Sequence, residues 1–145
     1  MHQETGRRLD GLTILVVDDA QDNRLLVSRF LTLAGARADV AEDAPHGIVL
    51  ALQKQFDAIL MDIQMPGMDG YEAVQRLRDH DCHIPIIALT AHVMRSERTR
   101  CLSSGFDDYL TKPISRVDLI ETLQRAVKKY RDRERISSPE TNTLM

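Results

Sequence analysis

Short apolar, β-branched runs alternate along this chain with stretches of helical periodicity, and that alternation limits the fold more than any other feature. The runs are Leu12–Val17 (LTILVV), Ala38–Ala41 (ADVA), Ala58–Met61 (AILM), Ile84–Leu89 (IPIIAL) and a weaker one at Tyr109–Leu110. Apolar runs without a polar alternate suit strands covered on both faces, as in a parallel sheet. Between them, Leu26, Phe30 and Leu33 share one helical face, and so do Ile120, Leu123, Val127 and Tyr130. Asp69 with Glu72, and Ser115 with Asp118, have capping-box spacing for helix starts. Gly35 and Gly105 stand where helix C-termini turn. The order predicts an α/β protein: a doubly wound, five-stranded parallel sheet with helices on both faces. Sites in such sheets form beyond the carboxyl ends of the strands.

Composition narrows the class further. At 145 residues, 43% hydrophobic and 28% charged, the chain suits one domain with its own core. A net charge of -3 argues against a surface that neutralises phosphates, so no direct nucleic-acid partner is expected. The two cysteines, Cys82 and Cys101, make neither a disulfide framework nor a metal cluster and fit a reduced compartment. No run approaches the roughly 20 apolar residues of a membrane span, so no membrane contact by this domain is expected. Residues 1–11 read as a polar linker, 12–130 as the domain, and 131–145 as a charged, Ser/Thr-rich tail expected to be disordered.

The residues that close the strands carry the chemistry. The first run ends in Asp18-Asp19, the third in Asp62 and the fourth in Thr90, and Lys112-Pro113 follows the fifth. Taken singly, each has a bland role: turn residue, helix cap or solvated lysine. Together they place three carboxylates, a hydroxyl and an ammonium at one sheet edge. Clustered carboxylates repel unless something positive sits among them. A hard cation such as Mg²⁺, or Mn²⁺, takes one or two carboxylates, a phosphoryl oxygen and several waters. Pro66-Gly67 forces a turn soon after Asp62, which exposes its carboxylate and aims the Gln64 carbonyl toward that cation. A carboxylate so placed is a competent nucleophile for phosphoryl transfer.

The segments VVDDA, LMDIQMPGMDG, IIALTA and DDYLTKPI, in that order, closely resemble the receiver domain of two-component response regulators. The resemblance covers about Leu12 to Tyr130 and implies the flavodoxin-like (βα)5 fold with strand order 2-1-3-4-5. It implies that Asp62 accepts a phosphoryl group from a phosphohistidine. Asp19 matches the direct Mg²⁺ ligand, Asp18 a ligand acting largely through water, and Gln64 the position whose backbone carbonyl completes the set. Thr90 and Lys112 match the groups that meet the phosphoryl oxygens, and the Lys112–Pro113 bond is usually cis in this family. Tyr109 matches an aromatic switch; its bland alternative is a half-buried ring with a hydrated hydroxyl. His92, two residues after Thr90, is expected to be a solvated loop residue. Ala20 replaces a frequent Asn, and Asp43-Ala44-Pro45-His46-Gly47 is an unusual helix start.

Three rival readings differ in chemistry. A haloacid dehalogenase-like phosphatase needs an acidic residue two positions after its nucleophile, where this chain has Gln64. A flavodoxin-type binder wants amides and hydroxyls, not carboxylates, around an FMN phosphate. A degenerate receiver would lack site residues, and none is missing here. The leading TGRRLDGLTILVVDD looks like the linker before the C-terminal receiver of a hybrid sensor histidine kinase. The partner expected from this is a kinase dimerisation domain or a histidine phosphotransfer protein; the alternative parent is a stand-alone response regulator. The domain is expected to be cytoplasmic, on a parent anchored in the inner membrane, and a monomer or weak dimer.

Overall fold

Residues 8–92 and 94–136 are described by the computed structural model. Five strands, β1 (Thr13–Val17), β2 (Arg37–Ala41), β3 (Ala58–Asp62), β4 (Ile86–Thr90) and β5 (Asp108–Thr111), alternate with five helices. The helices are α1 (Gln21–Leu33), α2 (Ala44–Gln53), α3 (Gly70–Asp79), α4 (Arg95–Ser103) and α5 (Arg116–Ile136). All strand pairs are parallel, in the order β2-β1-β3-β4-β5. The chain winds outward from β1 to β2, then crosses back to β3. The connections leaving β1 and β3 therefore run to opposite faces, which opens a crevice at their carboxyl ends.

The strand period of two divides the core. Ile14, Val16, Leu60, Ile87 and Leu89 meet α1 and α5 through Val27, Leu31, Leu119, Leu123 and Val127. Leu15, Val17, Ile59, Met61, Ile86 and Ala88 face α2, α3 and α4. The unusual start of α2 has a packing reason. Asp43 caps the helix by accepting the His46 amide at 2.9 Å, and Pro45 occupies the first turn, where no amide is needed. A Cβ at Gly47 would lie 2.7 Å from Val17 Cγ2, so only glycine lets α2 approach β1 this closely.

Three findings differ from the sequence reading. On α1 the buried residues are Val27 and Leu31, while Leu26 and Leu33 are 40% and 56% exposed. The helix turns inward on Val27 and Leu31, an i, i+4 pair, and Leu25, Leu26 and Leu33 face outward. At the N-terminus, Leu9 is fully buried. Its amide donates to Ala34 O at 2.8 Å, and Arg8 and Gln124 of α5 bond to each other through side chain and backbone. Leu9 of the expected linker thus belongs to the core, with Arg8 half-buried and Asp10 and Gly11 exposed; residues 1–7 lie outside the described residues. Finally, α5 continues past Tyr130 to Ile136. Arg131 pairs with Asp57 at 3.1 Å and Arg133 with Asp107 at 4.0 Å. Residues 137–145 lie outside the described residues.

Those two aspartates also finish the amino edge of the sheet. Asp57 accepts the Thr13 amide at 2.8 Å and Asp107 the Ile86 amide at 2.9 Å, so each closes the start of a neighbouring strand. Arg78 locks the same edge by donating to the carbonyls of Gly105, Cys82 and Ile84 and to Asp107. Among the described residues no helix is long and apolar enough to cross a membrane.

Candidate functional site

The crevice holds the residues that close β1, β3 and β4 and those that follow β5. Asp18 is fully buried and Asp62 is 2% exposed, because each leaves a central strand beneath the loops that follow. Asp19 reaches solvent. Carboxylate oxygens of Asp18, Asp19 and Asp62 all lie within 4.8 Å of one another. The acidic loop is held by backbone contacts: Asp18 Oδ1 accepts the Ala20 amide at 2.9 Å, and Arg24 donates to the Asp18 carbonyl at 2.8 Å.

Lys112 enters from the far side. Its Nζ stands 3.2 Å from Asp62 Oδ1 and 3.3 Å from Asp18 Oδ2. A parallel-ladder bond from the Lys112 amide to the Thr90 carbonyl (2.8 Å) sets its base, and the Lys112–Pro113 bond is cis. Asp62 Oδ1 also accepts the Gln64 amide at 3.2 Å. Burial, and then the Asp18 carboxylate, push Asp62 up to about 6 from the ordinary 3.8, against the pull of Lys112 and the Gln64 amide. One ammonium does not balance this pocket. Asp18 Oδ2 is sealed from solvent and, although Lys112 is at ion-pair distance, receives no aligned hydrogen bond. An orphaned carboxylate oxygen, two further carboxylates and a partly open edge form a donor set that fits a hard, partly hydrated divalent cation.

Thr90 is 2% exposed, and its hydroxyl is engaged by the His92 backbone. It accepts the His92 amide at 3.0 Å and donates to the His92 carbonyl at 3.4 Å. His92 is exposed, as expected for a loop residue. Tyr109 lies half-buried on β5, with the Arg98 guanidinium 5.5 Å from its ring centroid. It is therefore placed beside β4 and α4, and does not touch the carboxylates.

Gly70, to which the sequence analysis gives no role, lets the start of α3 approach the backbone at Asp62. A Cβ there would come within 2.6 Å of Asp62 O and 2.8 Å of Ile63 Cα. The Gly70 amide donates to Ile63 O at 2.9 Å, and Asp69 caps α3 by accepting the Glu72 amide at 2.9 Å. The available signal was a glycine as first helical residue directly after a capping aspartate, where any other residue would do unless a backbone crossed close by.

A parallel α/β sheet with an acidic, lysine-gated pocket at its switch point defines a class of small phosphoacceptor-type signalling domains. The sequence matches the family described as "Response regulator receiver domain" over residues 14–124. The chain belongs to that family. It is 43% identical over 115 residues to the sensor protein GacS of Pseudomonas syringae pv. syringae, covering 76% of this chain and 13% of that protein. The chain spans about an eighth of the length of such curated relatives. It resembles the receiver domain of sensor histidine kinase PA1611 from Pseudomonas aeruginosa PAO1, whose structure has a magnesium ion in the active-site cleft. That match has a TM-score of 0.75 and 37% identity, over 81% of this chain and 98% of that one. The Saccharomyces cerevisiae Ssk1 receiver domain, crystallised with the histidine phosphotransfer protein Ypd1, aligns with a TM-score of 0.75 and 25% identity, over 79% and 88% of the two chains.

Proposed function

We propose that this receiver domain accepts a phosphoryl group on Asp62 from a phosphohistidine and hands it on within a phosphorelay. The observation that carries this is the setting of Asp62: a nearly buried carboxylate between Asp18 and Lys112, at the carboxyl end of the central strand. An Asp62 oxygen attacks phosphorus as the P–N bond breaks, and the donor imidazole leaves as the neutral ring after taking a proton. Asp18, Asp19, Asp62 and the Gln64 backbone carbonyl would hold Mg²⁺, which supplies charge neutralisation for the transferring oxygens. Lys112 already spans Asp18 and Asp62, so it keeps Asp18 and meets a phosphoryl oxygen as that of Asp62 is consumed. Thr90 releases His92 and donates to another oxygen. The acyl phosphate adds roughly -1.5 to -2 charge, which these donors close around, and Tyr109 beside β4 registers the movement.

The donor is a histidine phosphotransfer protein or a kinase dimerisation domain. The exposed leucines of α1 offer its docking surface: Leu25 is 61% and Leu26 40% exposed, one turn from the acidic loop. The parent is a hybrid sensor histidine kinase, in keeping with the similarity to GacS. Incubating the protein with Mg²⁺ and acetyl phosphate should add one phosphoryl mass, mapped to Asp62 and absent in Asp62→Asn. A wild-type protein that stays unmodified in Mg²⁺, or equal labelling of the Asn variant, overturns the reading.

A further inference from the structure

Helix α4 is poorly secured by its own sequence. Among its described residues only Cys101 is buried, and its capping position, Met94, supplies no side-chain bond. Beside the Arg98–Tyr109 contact, a side chain from another helix holds it. Tyr71, the second residue of α3, bonds through its hydroxyl to the Glu97 carboxylate and lies 3.9 Å from Cys101 Sγ. The Arg100 guanidinium covers the Tyr71 ring at 3.8 Å, and Phe106 meets the ring edge-on at 6.2 Å. Residues 97, 100 and 101 span one turn of α4, so one aromatic ring grips the helix by hydrogen bond, stacking and burial at once. Burial and the Glu97 bond raise the phenol well above its ordinary range, so the hydroxyl remains a donor at any working pH.

This grip links the two halves of the site. Tyr71 follows Gly70, whose backbone abuts the Asp62 carbonyl. Toward its N-terminus α4 leads back to His92, whose amide and carbonyl engage the Thr90 hydroxyl. We propose that Tyr71 is a positioning residue: its contacts with Glu97 and Arg100 latch α4 to α3, and the latch favours the arrangement in which the Thr90 hydroxyl is held by the His92 backbone. Breaking the latch shifts the population toward a released Thr90, because the two states differ by the lost bond. This rests on the phosphoacceptor reading above for its consequence at Asp62, not for the latch itself.

The test uses Tyr71→Phe, which keeps the ring and its stacking, with Glu97→Ala and Glu97→Gln. The glutamine carbonyl still accepts from the phenol. Amide exchange is measured without any phosphoryl mimic, and beryllofluoride affinity is measured in Mg²⁺. Tyr71→Phe and Glu97→Ala should speed exchange across α4 while leaving α1 and the urea midpoint near wild type. They should bind beryllofluoride about three- to tenfold more tightly, the factor expected for one hydrogen bond. Glu97→Gln should stay close to wild type in both measurements. Unchanged α4 exchange in the first two variants overturns the latch. Faster exchange with unchanged affinity overturns its link to Thr90. A wild-type protein that does not bind beryllofluoride removes the phosphoacceptor reading, and the exchange experiment then decides the latch alone.

Discussion

Replacing Asp62 by asparagine should make the protein more stable at neutral pH, although it abolishes the proposed phosphorylation. Burial and the Asp18 charge hold Asp62 at about 6, above the ordinary 3.8. In the unfolded chain Asp62 loses its proton near 3.8, whereas the native protein keeps it until about pH 6. Across that window the unfolded state binds fewer protons, so native stability falls as pH rises and the loss is complete above the native value. At roughly 1.4 kcal/mol per tenfold, the displacement amounts to about 3 kcal/mol at pH 7 and about 0.5 kcal/mol at pH 4. The amide has no charge to desolvate or to oppose Asp18, and the forfeited pair with Lys112 is already included in the net displacement. The expected gain is therefore roughly 1–3 kcal/mol at pH 7, shrinking toward zero at pH 4. Urea denaturation of both proteins at the two pH values measures it, and an unchanged denaturant slope shows that the native and unfolded ensembles are comparable. Saturating Mg²⁺ should narrow the difference at pH 7, since a cation relieves the same repulsion in the wild type. An Asn variant less stable than wild type at pH 7, or a gap that ignores pH, refutes the electrostatic account.

Other expectations follow from single contacts. Gly70→Ala should cost roughly 1–3 kcal/mol, because its Cβ meets backbone that has little room to move, and should slow labelling by acetyl phosphate beyond what the stability loss explains. Asp19→Ala should reduce the rise in melting temperature that Mg²⁺ produces; an undiminished rise removes Asp19 from the cation site. Leu26→Glu should leave stability within about 0.5 kcal/mol yet weaken phosphotransfer from a histidine phosphotransfer protein, with acetyl phosphate labelling unaffected. Arg78→Ala should destabilise by about 3 kcal/mol or more, because it strips donors from several carbonyls and from Asp107; a small loss by urea denaturation would show that water replaces the guanidinium.

The sheet and the pocket were readable in the sequence for one physical reason. Strands buried on both faces must be written in continuous apolar residues, so a carboxylate or hydroxyl that ends such a run stands out. Asp18, Asp62 and Thr90 announce themselves this way, and Lys112 follows by position. Amphipathic surfaces were less legible. Of the stripe Leu26, Phe30 and Leu33, only Phe30 packs against the core, and α1 turns Val27 and Leu31 fully inward instead of the two leucines. Periodicity alone does not separate an apolar residue that packs inside from one left exposed. Gly70, Tyr71 and Arg78 stayed hidden because their roles arise from contacts across different elements. Leu9 was read as linker because its neighbours are polar, and only the pocket between α1 and α5 explains its burial.

The built-in Leu9 segment and the pinned end of α5 have a topological consequence. Both lie at the amino edge of the sheet, the chain entering β1 from below and α5 closing on Asp57 and Asp107, whereas Asp62 opens at the opposite rim. The two ends of the described chain and the acidic pocket occupy opposite poles. On the phosphoacceptor proposal, a donor can approach the acidic rim without displacing the Leu9 segment or the end of α5.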